Sequence, residues 1–573
     1  NFSIYDDHDQ LVLIKECLGE LNRSGRQIHP KGVREEIQRA KDFLLTPEAY
    51  REQVQDSFED TAAKVYQHYE RKLSLLNACD FGDLILKTVF LFERNPEVLK
   101  AWQDRFQHIL IDEYQDTNHA QYRLVRLLAE RYRNITVVGD PDQSIYAWRG
   151  ADIRNILDFE KDYPNSAVIK LEQNYRSTGH ILEASNALIQ FNRARKPKRL
   201  WTEKEAGEKI TLVQVGDERE EAEVVVRQVV EYQRQGRPLS DCVVFYRLHA
   251  QSRILEEVLR KFKVPYRIVG GIRFYDRREI KDIIAYLRVI AYPHDELGYG
   301  RIVNVPNRGI GKKTIEMIEA YQKAKGVGWE GTLQDIERVE GIQSRVKESL
   351  RSFYQMILAL RSKSAQAAVS GLLQETLNVT GYVRELERER TIESRVRLDN
   401  IQEFFSAVQE FEEEGPSEFE SVLGSGGSRG LEAFIESITL ATDIDTWDGG
   451  SNSLTLMTLH CAKGLEFPIV FMVGMEEELF PHVSSLGEEL LELEEERRLC
   501  YVGMTRAKEK LYLACADSRR LYGVRRHHLP SRFLSEIPAR LFEEVGFLDR
   551  TDGLGEEKCS DAEVVKRRIL YFD

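Results

Sequence analysis

The sequence predicts an α/β protein built on parallel sheets and carrying large helical blocks. Three observations predict it. Short apolar strands alternate with helical stretches between about residues 107 and 270, and again after 450. Two other stretches, 5–105 and about 275–440, repeat apolar residues at helical spacing instead. The 573 residues are also too many for one core, so several domains are expected.

Each element follows from its own text. "DQLVLIKECLGEL" (9–21) and "AYREQVQDSFEDTAAKVYQHYERKL" (49–73) make the first block helical throughout. "HILID", "ITVVGD", "SAVIKL", "KITLVQV", "DCVVFYR" and "PYRIVG" are strands in a parallel arrangement. The charged amphipathic text after 275 is a helical block inserted into the second α/β region. That region resumes in "SLTLMTLH", "PIVFMVG" and "KLYLACA". "GSGGSRG" (424–430) reads as a flexible loop near the end of the insertion. There is no internal repeat.

Composition narrows the class. The chain is 42% hydrophobic and 31% charged, near globular averages. No apolar run can span a bilayer and no secretory leader is seen. The seven cysteines are scattered, with no C-x-x-C pair, so neither a disulfide framework nor a zinc site is indicated. A reducing, cytoplasmic setting is expected. The net charge of −14 argues against a simple basic nucleic-acid binder. It is uneven, however: 410–420 and 487–496 are acidic, while "RARKPKR" (193–199) and "RRLYGVRRHH" (519–528) are basic. A charge run is usually a solvated face. The basic runs could also track a phosphate backbone.

The chemistry gathers at strand ends, where open α/β sheets bind ligands. "HILIDEYQDTN" (108–118) runs an apolar strand into Asp112 and Glu113. One carboxylate there can hold Mg²⁺ and a second can activate a water. Alone, the pair would be read as acidic caps on the next helix. A second strand ends in "VVGDPDQSIYAWRGA" (137–151). Gln143 there can sense a phosphate oxygen. Tyr146, Trp148 and Arg149 form the aromatic-plus-cation cluster that stacks on single-stranded bases. Trp148 could instead be core, but its neighbours Arg149 and Gly150 read as a loop. A third strand ends in "LEQNYRST" (171–178), with Tyr175 and Arg176. "TLHCAKGLEFPIVFMVG" (458–474) and "EERRLCYVGMTRAKEKLYL" (495–513) follow, the latter placing Arg506 before a strand.

"DEYQDTN", "GDPDQSIYAWRGA", "LEQNYRST", "TLHCAKGLEFP" and "YVGMTRAK" occur in the order and at the spacing of superfamily 1 DNA helicases. The chain resembles the UvrD/PcrA/Rep group from about residue 3 to about 540. "VGGIRFYDRREIKDIIAYLRVI" (269–290) and "VNVPNRGIGKKT" (303–314) look like that group too. The resemblance implies two RecA-like motor domains, each with a mainly helical inserted domain. The first would comprise 107–172, with 1–106 as its partial insertion. The second would comprise 173–270 and 445–540 around an insertion at 271–444, leaving 541–573 as a tail. It further implies ATP and Mg²⁺ as cofactors, and single-stranded DNA and single-strand–duplex junctions as partners. Asp112 would bind the metal and Glu113 would activate the hydrolytic water. Gln143 would couple the γ-phosphate to DNA. Tyr175 would stack on adenine and Glu466 would lie near the ribose. Arg176 and Arg506 would be arginine fingers. Tyr146, Trp148 and His460 would contact single-stranded DNA. Gly309, Ile310 and Gly311 would touch duplex backbone through their amides. Tyr522 would sit on a hairpin that wedges the duplex apart.

One departure stands out. The phosphate-binding loop G-x-x-x-x-G-K-[ST] of these enzymes does not occur. "GIGKKT" (309–314) fails the pattern and lies in the insertion. The family's adenine-reading glutamine motif is missing as well. The expectation is an N-terminally incomplete helicase lacking roughly a hundred residues, inactive on its own. The competing expectation is a non-catalytic DNA-binding or regulatory module that kept the fold. The carboxylates and both arginines count against it. A helicase–nuclease ranks lower, for want of a nuclease cluster after 540.

Overall fold

The computed structural model describes residues 2–21, 28–364, 367–413, 430–443, 452–482, 490–521 and 524–545. Its largest feature is a seven-stranded sheet. The strands are β5 (Ile210–Val215), β6 (Cys242–Tyr246), β7 (Tyr266–Val269), β8 (Leu454–Thr458), β9 (Phe467–Met472), β10 (Ala507–Ala516) and β13 (Phe542–Val545). Their order is β13-β5-β10-β9-β6-β8-β7, and every pairing is parallel. The sheet thus joins strands from either side of the helical insertion.

The text of β6 explains its place inside the sheet, between β9 and β8. "CVVFY" is apolar without alternation, as a strand covered on both faces must be. Val243 and Phe245 enter one core with Leu499, Val502 and Met504. Cys242, Val244 and Tyr246 enter the opposite core with Val225, Val229 and Leu255.

The first α/β unit is smaller. β3 (Ile109–Ile111) pairs with β4 (Ile135–Val137) in a two-stranded parallel sheet. The preceding helical block also holds a parallel pair that helical periodicity did not suggest, β1 (Ser3–Tyr5) with β2 (Ala78–Asp80). The expected strand "SAVIKL" lies in no ladder. Val168, Ile169 and Leu171 are exposed, with no strand beside them among the described residues. β propensity makes a strand only where there is an edge to pair with.

The helical insertion has its own cores, one around Phe274, Leu373 and Phe404 and another around Tyr299, Trp329 and Ile357. Its long helix Ile392–Glu413 is fixed to the large sheet's unit by Arg253. That fully buried guanidinium meets Glu403 at 2.7 Å and Glu410 at 2.8 Å. At the other end Lys31 meets Glu393 at 2.8 Å and Arg390 meets Asp56 at 3.1 Å, joining the two helical blocks. Ser518–Leu521 (β11) and Val524–His527 (β12) form an antiparallel hairpin. Tyr522 lies outside the described residues.

Candidate functional site

β3 delivers Asp112 and Glu113 to the sheet's carboxyl end, where both are exposed. Glu113 adopts φ +50°, a left-handed turn that starts the single turn Tyr114–Asp116. Its amide donates to Asp112 Oδ1 at 2.9 Å. Gln115, fully buried, binds the two strand ends together. Its Nε2 donates to Glu113 at 2.5 Å, and its Oε1 accepts from the Asp140 amide at 2.9 Å. A Cβ at Gly139 would fall 2.3 Å from that Oε1, so this approach demands glycine.

The large sheet's unit contributes the cations. Lys463 Nζ contacts Asp116, donates to the Gln143 carbonyl at 2.9 Å and lies 3.4 Å from Glu113. Arg506 is buried and donates through Nη2 to Gln143 Oε1 at 3.3 Å and to Thr505 Oγ1 at 3.1 Å. Burial, with Arg176 nearby, pulls its pKa down to about 10, which leaves it cationic at neutral pH. Arg176 donates through Nε to Glu466 at 2.7 Å and through Nη1 to the Thr505 carbonyl at 3.1 Å. Glu466 also meets Lys508 at 2.8 Å. The Lys508 and Arg176 hydrogen bonds hold its carboxyl at about 2. Tyr175 is 74% exposed and donates to Gln173 at 2.8 Å. Gln143, Arg176, Glu466 and Arg506 therefore form one cluster, joined to Glu113 through Lys463. Asp112 is held in that group by its neighbour Glu113.

The same loop carries the aromatic group. Tyr146 and Trp148 lie 6.4 Å apart, edge to face, and Trp148 lies 6.3 Å from His460. The Arg149 guanidinium sits over Trp148 at 4.5 Å and over Tyr146 at 5.3 Å. Gly150, at φ +83°, closes the turn Ala147–Arg149. Trp148 is 46% exposed, so it is not core. Burial pushes the His460 pKa down to about 4, leaving a neutral ring.

Two readings of the sequence change here. The amides of Gly309 and Ile310 are already taken, by Asn307 Oδ1 at 2.9 Å and Asn304 Oδ1 at 3.1 Å. The Ile310 side chain is buried in the insertion's core, and Gly311 caps the helix Lys312–Lys325. Within the two basic runs, carboxylates occupy several of the cations, so those are not free to track phosphates, whereas Arg193, Arg199, Arg525 and Arg526 stay exposed. Arg195 pairs with Asp142, Lys196 with Glu160 and Lys198 with Asp140. Arg519 is buried between Glu221 and Glu476, and Arg520 pairs with Glu413. Lys463 and Gln115 were missed. Both stand inside quoted motifs, but each also reaches a partner far along the chain, Gln115 the Asp140 amide and Lys463 Asp116 and Gln143.

The fold and this clustering at the ends of parallel strands are those of the RecA-like helicases. The UvrD/REP helicase N-terminal domain matches residues 1–164, and the UvrD-like helicase C-terminal domain matches 169–518. The ATP-dependent DNA helicase PcrA of Staphylococcus epidermidis is 46% identical over 544 residues, covering 95% of this chain and 73% of the relative. PcrA of Staphylococcus aureus gives the same identity and coverage. The chain belongs to the UvrD/REP helicase family. Among the described residues no helix is long and apolar enough to cross a membrane.

Proposed function

We propose that this chain is an ATP-dependent DNA helicase and translocase of DNA repair or replication, acting on single strands and single-strand–duplex junctions with 3′→5′ polarity. The first motor domain is 107–172, with 1–106 as its insertion. The second is 173–270 with 445–545, around 271–444, because β13 (Phe542–Val545) pairs with β5 and so belongs to this sheet and not to the tail expected from 541. The observation that carries this reading is the loop 140–149. It brings Gln143 to Arg506 on one side and Trp148 to His460 on the other. A shift at either group is passed along a short, hydrogen-bonded stretch of backbone.

Each residue then has a task. Asp112 would hold Mg²⁺, a hard cation that takes carboxylate oxygens. The donor set fits, because Asp112 and Glu113 are exposed and Asp116 Oδ1 is buried without a hydrogen-bond partner. The ion would offset charge on the phosphates. Glu113 would take the proton of the attacking water. Arg176 and Arg506 would stabilise the transferred phosphoryl group, Arg176 after leaving Glu466. Tyr175 would stack on adenine. Tyr146, Trp148 and His460 would stack on unpaired bases. Gly311 and the exposed Lys312 would meet duplex backbone, and Tyr522 would part the strands.

The phosphate cradle G-x-x-x-x-G-K-[ST] is not among these 573 residues. Phosphoryl transfer rests on positioning, so the activity proposed above requires such a cradle beside these residues, and without one the fingers would have no aligned nucleotide to act on. The test is ATP hydrolysis by the 573-residue polypeptide with an oligothymidylate. Single-strand binding without DNA-stimulated turnover is expected. Turnover abolished by Glu113→Gln would place phosphate binding in other residues. Absence of single-strand binding would overturn the function itself.

A further inference from the structure

The run "RARKPKR" links the helix Gly179–Ile189 to β5, so it belongs to the large sheet's unit. Two of its cations, Arg195 and Lys198, turn inward, onto the loop 140–149 of the small unit. Arg195 presents Nε and Nη2 to the two oxygens of Asp142, at 3.1 and 2.8 Å. The side chains are 11% and 2% exposed. Lys198 contacts Asp140 and lies 3.3 Å from Asp142. Asp140 in turn accepts from Gln143 Nε2 at 2.8 Å. Further along, Arg498 Nε donates to the Ser144 carbonyl at 2.9 Å, and the Ala147 amide donates to Glu495 at 3.1 Å. Trp148 follows directly.

We propose that Arg195 and Lys198 are positioning residues: through Asp142 and Asp140 they seat the loop so that the Trp148 platform is already formed when a single strand arrives. This rests on the reading of Trp148 as a base-stacking surface. A buried bidentate arginine–carboxylate pair fixes geometry closely but adds little net stability, because desolvation offsets the attraction. Its contribution is therefore location. Arginine suits the task and lysine does not, since only the planar fork fixes two oxygens at once. With the pair turned away from solvent, Arg195 is not available to a phosphate.

The test is a double-mutant cycle on oligothymidylate affinity, measured across salt concentrations without ATP. Trp148→Ala alone should weaken binding roughly tenfold. Arg195→Met should weaken it about fivefold or more, although Arg195 touches no DNA. Because both act on one surface, the double variant should bind no more weakly than Trp148→Ala. The slope of log Kd against log salt should stay unchanged, and Arg195→Lys should fall between wild type and Arg195→Met. If Arg195→Met fails to fold around an unpaired Asp142, Arg195→Met with Asp142→Leu removes both charges and should show the same loss. Additive losses, with a salt slope lower by about one, would make Arg195 a direct phosphate contact and overturn the proposal. Unchanged affinity in Arg195→Met would also overturn it. If Trp148→Ala itself binds normally, the platform reading fails first and the positioning role falls with it.

Discussion

The two main sheets share one sequence texture and have opposite surroundings. β6 sits between two cores, with Val244 and Phe245 fully buried. β3 is equally apolar, yet Leu110 is 78% exposed, and Val138, just past β4, is 52% exposed. The large sheet is a support and supplies cations: Arg176, Lys463 and Arg506. The small one supplies carboxylates and the aromatic loop. Neither holds a site alone, and the contacts that matter run between them. Apolar text therefore identifies a strand but says nothing of what covers it.

The widest contrast is in stability. Phe245→Ala should cost about 3–5 kcal/mol, the price of a large cavity in a packed core. Leu110→Ala should cost under about 0.5 kcal/mol, as at other exposed positions. Urea unfolding of both variants checks this. Similar losses would mean that β3 is covered and the contrast is false.

A smaller effect concerns the junction between the units. His460 titrates near 4 in the folded chain, against an ordinary value of 6.5. Between those values the unfolded chain binds more protons, so this ring costs stability as pH falls from 6.5 toward 4. His460→Gln removes that term. The variant should lose less stability than wild type between pH 7 and pH 5. An identical pH profile would place His460 in solvent, away from the Trp148 pocket.

Much of the site was legible because strand-end chemistry needs adjacent residues. Asp112 with Glu113, and Gln143 with Tyr146 and Trp148, are each set by one short loop. The sheet order was not legible, because β10 pairs with β5 across hundreds of residues of chain. Lys463 was hidden for the same reason: its partners Asp116 and Gln143 belong to the other unit. The basic runs misled because a run of charge carries no record of the carboxylates that meet it. "SAVIKL" misled because propensity does not supply a neighbour. In the Gly309–Gly311 loop the motif pointed to the amides but not to the asparagines that occupy those of Gly309 and Ile310.

The central claim is that the loop 140–149 carries a DNA platform, set by place and not by exposure alone. Trp148 and Trp201 make the comparison, because they are 46% and 47% exposed. Trp201 sits in backbone pairing with Glu172 and Asn174, away from His460. The measurement is oligothymidylate affinity by fluorescence anisotropy for Trp148→Ala and Trp201→Ala. Roughly a tenfold loss is expected for Trp148→Ala, the scale of one stacked base, and no change for Trp201→Ala. Equal losses, or a loss confined to Trp201→Ala, would contradict the claim.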